Sequence, residues 1–317
     1  METKRIWMRA RLASGLLFAV LLLLLPSNVA AQPHSNVATF WGHGMGARPL
    51  AMGGAFVGLA DDGNALFHNP AGLAWGEGLS VLSSVEIRPH TAGYGHISAC
   101  LENLAVGLHY FDFGDVPETD EFGNVLGTFS YRNCGLIVGT GVSAADVPFL
   151  SDLSFASCLA FGLSAKLVAI DTLEAGDGNG LAADLSLLLR ADDPWLGEPY
   201  VTRLSFGILA ESLFATPITY GSGHVEEFEK RAVVGASIEL LHKIIVSLAV
   251  TSRETVHFGA EWSPASALSV RAGLKRDGVW MWSFGAGVHR RQYAVDYAVA
   301  IHPYLRSQYR ASFGVSW

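Results

Sequence analysis

The chain has 317 residues, a formal net charge of −8, and only 16 % charged residues, against roughly 25 % in ordinary soluble domains. Half of it is hydrophobic, its mean hydropathy is +0.31, and 35 residues are glycine. An apolar chain so rich in a helix breaker argues against a helical soluble protein, and an acidic chain carries no footprint for nucleic acid; a membrane protein built of strands stays open.

The N-terminus reads as a signal peptide over residues 1–31. Lys4, Arg5, Arg9 and Arg11 make a basic region, Leu16 to Leu25 an apolar run that Pro26 breaks, and Val29-Ala30-Ala31 a small-residue cleavage site. The run is too short for a spanning helix, which needs about 20 apolar residues. The mature chain is therefore expected to leave the cytoplasm without a transmembrane helix.

Next comes GARPLAMGGAFVGLADDGNALFHNPAGLA, Gly46 to Ala74, nearly uncharged apart from Arg48 and Asp61-Asp62. It has the look of a ligand loop. It lacks G-x-G-x-x-G and is followed by no βαβ unit, which argues against a nucleotide. Asp61-Asp62-Gly63-Asn64 lacks the alternating carboxylate spacing of a calcium loop. Cys100, Cys134 and Cys158 offer neither a disulfide framework nor a zinc spacing. No metal or cofactor is expected.

From Leu79 onward the pattern has period two, so one face of each segment is apolar and the other polar or small. Tyr309 to Trp317 is the clearest case; Leu268 to Lys275, Val256 to Trp262 and Trp282 to Val288 behave alike. The expected strands lie near 79–88, 91–101, 103–113, 126–142, 156–171, 181–190, 200–213, 230–240, 243–252, 254–263, 266–275, 279–289, 291–301 and 308–317. Most approach the length of a tilted membrane strand, roughly 9–11 residues. The polar face carries Arg203, Glu211, Arg231, Glu239, Glu261, Arg271, Asp296 and Arg310 among glycines, as a lumen would; the apolar face carries Trp262, Trp280, Trp282, Tyr293 and Trp317 near strand ends, as an interfacial girdle would. The fold class is thus all-β: a closed antiparallel transmembrane β-barrel of about fourteen strands, since an open edge in lipid leaves backbone groups unpaired. With both termini periplasmic, external loops fall at 114–125, 172–180, 214–229 and 302–307. Short turns fall at Glu102-Asn103, Leu241-His242 and Ser263 to Ser266, and Gly176 to Gly180 reads as a hairpin turn.

The stretch Gly46 to Ala74 resembles the N-terminal signature of the FadL-like outer-membrane proteins, closest to the PorV/PorQ branch, which open with a similar series of Gly-Ala-Arg, Met-Gly-Gly-Ala, Ala-Asp-Asp and Asn-Pro-Ala-Gly. Gly127 to Tyr131, Arg203 to Gly207, His257 to Trp262, Leu268 to Gly273 and Tyr293 to Tyr297 look like the family's strand patterns, so the resemblance covers about 32–317. It implies a fourteen-stranded barrel over 79–317 with an N-terminal plug, or hatch, over 32–78 inside the lumen. It also implies an outer-membrane location in a Gram-negative-type bacterium. The alternating apolar residues that end in an aromatic, Phe313, Val315 and Trp317, resemble the signal that the barrel assembly machinery reads.

A plug explains the opening stretch: Gly and Ala pack compactly, while Asp61, Asp62, Asn64, His68 and Asn69 meet a polar wall. A short helix is expected around Asn64 to Phe67, closed by Pro70. Asp61 or Asp62 is expected to pair with a lumen arginine: Arg203, Arg271 or Arg310. No catalytic residue is expected: there is no G-x-S-x-G elbow, and His257 and His289 fall on the lumen face rather than the outer one. Two functional expectations follow from the resemblance. The first is passive transport of a hydrophobic small molecule through a plug-gated barrel. The second is an accessory or anchoring barrel of a type IX-like secretion system, docking exported proteins through its loops, with Glu226, Glu227 and Glu229 as a contact surface.

Overall fold

The computed structural model describes Trp41 and residues 44–87, 93–172, 176–192 and 200–317. The expected signal peptide over 1–31 and most of 32–43 lie outside the described residues. No helix among the described residues is long and apolar enough to cross a membrane.

The strands are β1 (Leu79–Ile87), β2 (Gly93–Leu101), β3 (Leu104–Thr119), β4 (Val125–Ser143), β5 (Leu159–Asp171), β6 (Gly178–Asp192), β7 (Val201–Ala215), β8 (Ile218–Tyr220), β9 (Val225–Glu226), β10 (Arg231–Leu240), β11 (Ile244–Thr251), β12 (Val256–Ala265), β13 (Leu268–Asp277), β14 (Val279–Arg290), β15 (Tyr293–Ile301) and β16 (Gln308–Ser316). Apart from β8 and β9, each pairs antiparallel with its neighbours, and β1 pairs with β16 to close the ring. The short hairpin β8–β9 hangs on β6, so fourteen strands make the closed barrel. Closure leaves no unpaired edge for lipid to meet.

The alternation read from the sequence is the alternation of the wall. On β5, Phe161, Leu163 and Leu167 face outward, while Ala160, Ser164 and Lys166 are buried inside. Trp262, Trp280, Trp282, Tyr293 and Trp317 are all exposed on the outer surface. Small polar side chains fill the inner face: Ser84, Ser98, Ser186, Ser237, Ser247 and Ser312 are all buried.

A barrel of this size is too wide for wall side chains alone to fill. The residues that precede β1 fill it. They form two short helices, α1 (Ala47–Ala51) and α2 (Ala65–His68), and a 3-10 turn over Pro70–Trp75. Asn69 adopts an extended conformation between α2 and Pro70, and its side chain accepts from the Ala71 amide at 3.1 Å, so the proline opens the 3-10 turn. This segment touches the wall from β3 and β4 round to β16, which places it inside the ring.

The seat is built of glycine on both sides. A Cβ on wall glycines Gly162, Gly207 or Gly273 would lie 2.1 Å from plug backbone, at Ala71 N, Val57 O and Gly53 N respectively. On the plug side, Gly53 has φ +64°, and a Cβ there would meet Leu274 N and Phe258 O at 2.7 Å.

Four boundaries differ from expectation. Most of 114–125 is strand: β3 and β4 stay paired as far as Thr119 opposite Val125, and Asp120 caps the tip by accepting from the Phe122 and Asn124 amides. Gly178 to Gly180 lie within β6, where Gly178 and Asn179 pair with β8. The turn expected at Ser263 to Ser266 is tighter, since β12 runs to Ala265 and β13 starts at Leu268. The 214–229 connection contains β8 and β9.

Gly207→Val inserts a branched side chain where the Val57 carbonyl sits. It should cost about 1–3 kcal/mol, spent on displacing the plug. The barrel should still shift on unheated electrophoresis while liposomes holding it leak small solutes; tight liposomes would contradict the seat.

Candidate functional site

Register decides where the lumen charges go. Glu261 stands opposite Arg271, Glu86 opposite Arg310, Glu211 opposite Arg231 and Glu239 opposite Arg203. Opposite charges at such positions attract directly across the ladder. Arg271 Nε lies 2.5 Å from Glu261 and its Nη1 2.5 Å from Asp296. Arg310 binds Glu86 and also donates from Nη1 to the Gly44 and Gly46 carbonyls at 3.0 and 3.2 Å.

The plug acids are therefore held mainly by an arginine of their own segment. Arg48, on α1, reaches Asp61 at 2.6 Å, Asp62 at 2.8 Å and the wall carboxylate of Glu261 at 2.8 Å. Of the expected wall partners, Arg203 approaches Asp61 at 3.5 Å and is shared with Asp192 and Glu239. Arg271 and Arg310 take other partners, because the cross-strand ladder has already supplied each with a carboxylate.

The remaining plug candidates also turn inward on the plug. The Asn64 backbone amide and side-chain nitrogen both donate to Asp62 at 2.8 Å. His68 Nε2 lies 2.9 Å from the Met45 carbonyl. Burial holds the His68 imidazole below its ordinary pKa, so the ring stays neutral. Asn69 alone spans the gap, donating to Val57 O at 2.8 Å within the plug and to Leu187 O on β6 at 3.2 Å. The polar match runs mostly the other way, from wall side chains to plug backbone. Ser237 donates to Gly58 O at 3.2 Å, Ser247 donates to Ala55 O, and Ser186 and Ser312 accept from Ala71 N and Ala47 N at 3.0 and 2.8 Å.

At the barrel end opposite the chain's C-terminus lies a cavity of about 230 Å³. Its floor is plug, with Trp41, Leu50, Val57 and Phe67; its walls include Leu209, Val233 and Met281. Charged groups at its margin are paired: Glu211 with Arg231, and Lys275 with Asp277 at 3.1 Å. Sequence reading missed Arg48 as the plug's main cation, the Lys166–Asp184 pair buried at 2.6 Å, and the cavity itself. The signal for Arg48 was its isolation as the single cation of Gly46 to Ala74. Among the described residues no group of three or more His, Cys, Asp or Glu could hold a metal.

Arg48→Met leaves Asp61 and Glu261 without their shared cation. Unfolding in denaturant should show a loss of about 3 kcal/mol, low for a broken buried pair because Arg271 still covers Glu261. Asp62→Asn, at a carboxylate 31 % exposed, should cost about 1 kcal/mol or less. Equal losses from the two variants would contradict the assigned geometry.

No protein-family model matches the sequence, and comparison with curated proteins finds no match. Solved structures do match. The CymD monoaromatic hydrocarbon channel is 14 % identical with a TM-score of 0.57, covering 86 % of this chain and 98 % of its own. The Pseudomonas putida toluene transporter TodX is 16 % identical with a TM-score of 0.57, again over 86 % of this chain and 98 % of its own. At these identities the likeness is one of fold, and the fold of this chain is a closed fourteen-stranded antiparallel barrel.

Proposed function

We propose that the chain is a passive outer-membrane channel for hydrophobic small molecules, gated by its plug and involving no covalent step. The cavity carries this reading. It is lined in part by the apolar plug residues Leu50, Val57 and Phe67 and the wall residues Leu209, Val233 and Met281, and it lies at the barrel end that carries the β3–β4 hairpin tip and the 216–230 connection. Likeness of fold to a toluene transporter and a monoaromatic hydrocarbon channel supports it. Size narrows the substrate. A cavity of about 150 Å³ holds benzene, so one of about 230 Å³ has room for a single substituted ring.

The test is uptake of labelled toluene by intact Gram-negative host cells that lack their own hydrocarbon channels. Expression should raise the initial rate several-fold for toluene and leave palmitate unchanged. Equal toluene rates with and without the protein would overturn the reading.

A second reading, an accessory or anchoring barrel of the PorV/PorQ kind, draws on one observation. The β3–β4 hairpin continues past the end of β2, and its tip exposes Phe122, Val125 and Leu126. Such apolar tips suit a protein partner. The 214–229 connection suits one less well, since Glu226 already accepts from Tyr220 Oη at 2.6 Å and Glu229 pairs with Arg253. Shortening the hairpin to a tight turn between Asp112 and Arg132 should abolish co-purification of exported proteins if this reading holds, and leave toluene uptake intact if the first one does.

A further inference from the structure

The cavity is not that of a pure hydrocarbon binder. His257 of β12 lines it, and the ring's Nδ1 lies 2.7 Å from the carbonyl oxygen of Gly53 in the plug. A carbonyl can only accept, so Nδ1 carries the hydrogen. His257 is half-buried between wall and plug, where a charged ring would be costly to desolvate, and Lys275, although paired with Asp277, stands directly opposite it in the β12–β13 register. The ring is therefore the neutral Nδ1–H tautomer, and Nε2 presents a lone pair. Nε2 takes no hydrogen bond from the described residues and stays open to the cavity.

The charges nearby have partners. Arg231 is held by Glu211, Lys275 by Asp277 and Arg310 by Glu86. An anionic ligand would have to break one of these pairs. What remains is a ring-sized space with a mixed lining, in which neutral polar side chains such as Thr255, Ser283 and Gln308 stand beside the apolar ones and His257 Nε2 is the ring acceptor nearest the plug.

We propose that the cavity selects a neutral single-ring molecule bearing a hydroxyl, a phenol or aromatic alcohol, whose O–H donates to His257 Nε2. This rests on the reading of the cavity as the transport site and names its substrate class. His257 then has two tasks: it ties the wall to the plug through Gly53 and reads the solute's polar end.

The test compares three single-ring probes of similar size, 4-methylphenol, 4-methylanisole and toluene, by calorimetric titration of the protein in lipid nanodiscs, with empty discs subtracted. 4-Methylphenol should bind about tenfold more tightly than either of the others, the worth of one hydrogen bond to a site otherwise left unpaired. 4-Methylanisole keeps the oxygen but lacks the donor, so this comparison needs no variant. His257→Phe, checked for folding by its shift on unheated electrophoresis, should bring 4-methylphenol down to the level of toluene. Toluene binding as tightly as 4-methylphenol overturns the proposal while leaving the transport reading intact. So does a preference unchanged in His257→Phe, or tighter binding of 4-methylbenzoate than of 4-methylphenol. Failure of all the probes to bind overturns the transport reading and this proposal together.

Discussion

Everything inside this molecule depends on how closely two stretches of backbone can approach. Fourteen strands enclose a space that wall side chains cannot fill, and an unfilled lumen would be an open pore. The solution is a compact segment laid against wall positions that have no Cβ. At Gly162, Gly207 and Gly273 the plug main chain occupies the volume a side chain would take. Serines and His257 then satisfy the plug's amides and carbonyls, which helices this short leave unpaired. The glycine content that first argued against a helical protein is thus spent on a contact surface.

Charge works on the same plan. The antiparallel register pairs lumen acids and bases with each other before the plug arrives, which leaves the wall nearly self-neutralised. The plug brings its own cation for its own acids, and Arg48 joins the two systems by sharing Glu261 with Arg271. The lumen is accordingly polar yet offers few free charges, which suits an uncharged solute.

The strands were legible because membrane barrels print their two faces at period two, and β1 begins at Leu79, where the alternation does. The β3–β4 extension was less so: Gly114 to Asn124 mixes Asp, Glu, Gly and Pro, which reads as a loop, yet the hairpin holds by pairing with itself beyond the wall. The plug's composition was readable, but its contacts were not. Residue types indicated that Asp61 and Asp62 need cations, while the choice among four arginines depends on register, which composition does not contain. The seat is polar from both sides: Asn64 and His68 turn to the plug itself, Asp61 and Asn69 also reach Arg203 and the Leu187 carbonyl of the wall, and wall serines reach the plug backbone. The cavity had no sequence signal, since its lining comes from the plug and from strands β7 to β16.

In the proposed channel the plug sits against the wall and its position governs passage. Ala47 N lies 2.8 Å from Ser312 Oγ, so Ala47→Cys with Ser312→Cys, in a chain whose three native cysteines are replaced by serine, joins plug to wall by a reducible bond. Toluene uptake by host cells should fall to the background rate when the disulfide is formed and recover on reduction. A disulfide that forms without slowing uptake, or a pair that does not cross-link in the folded barrel, would contradict the account.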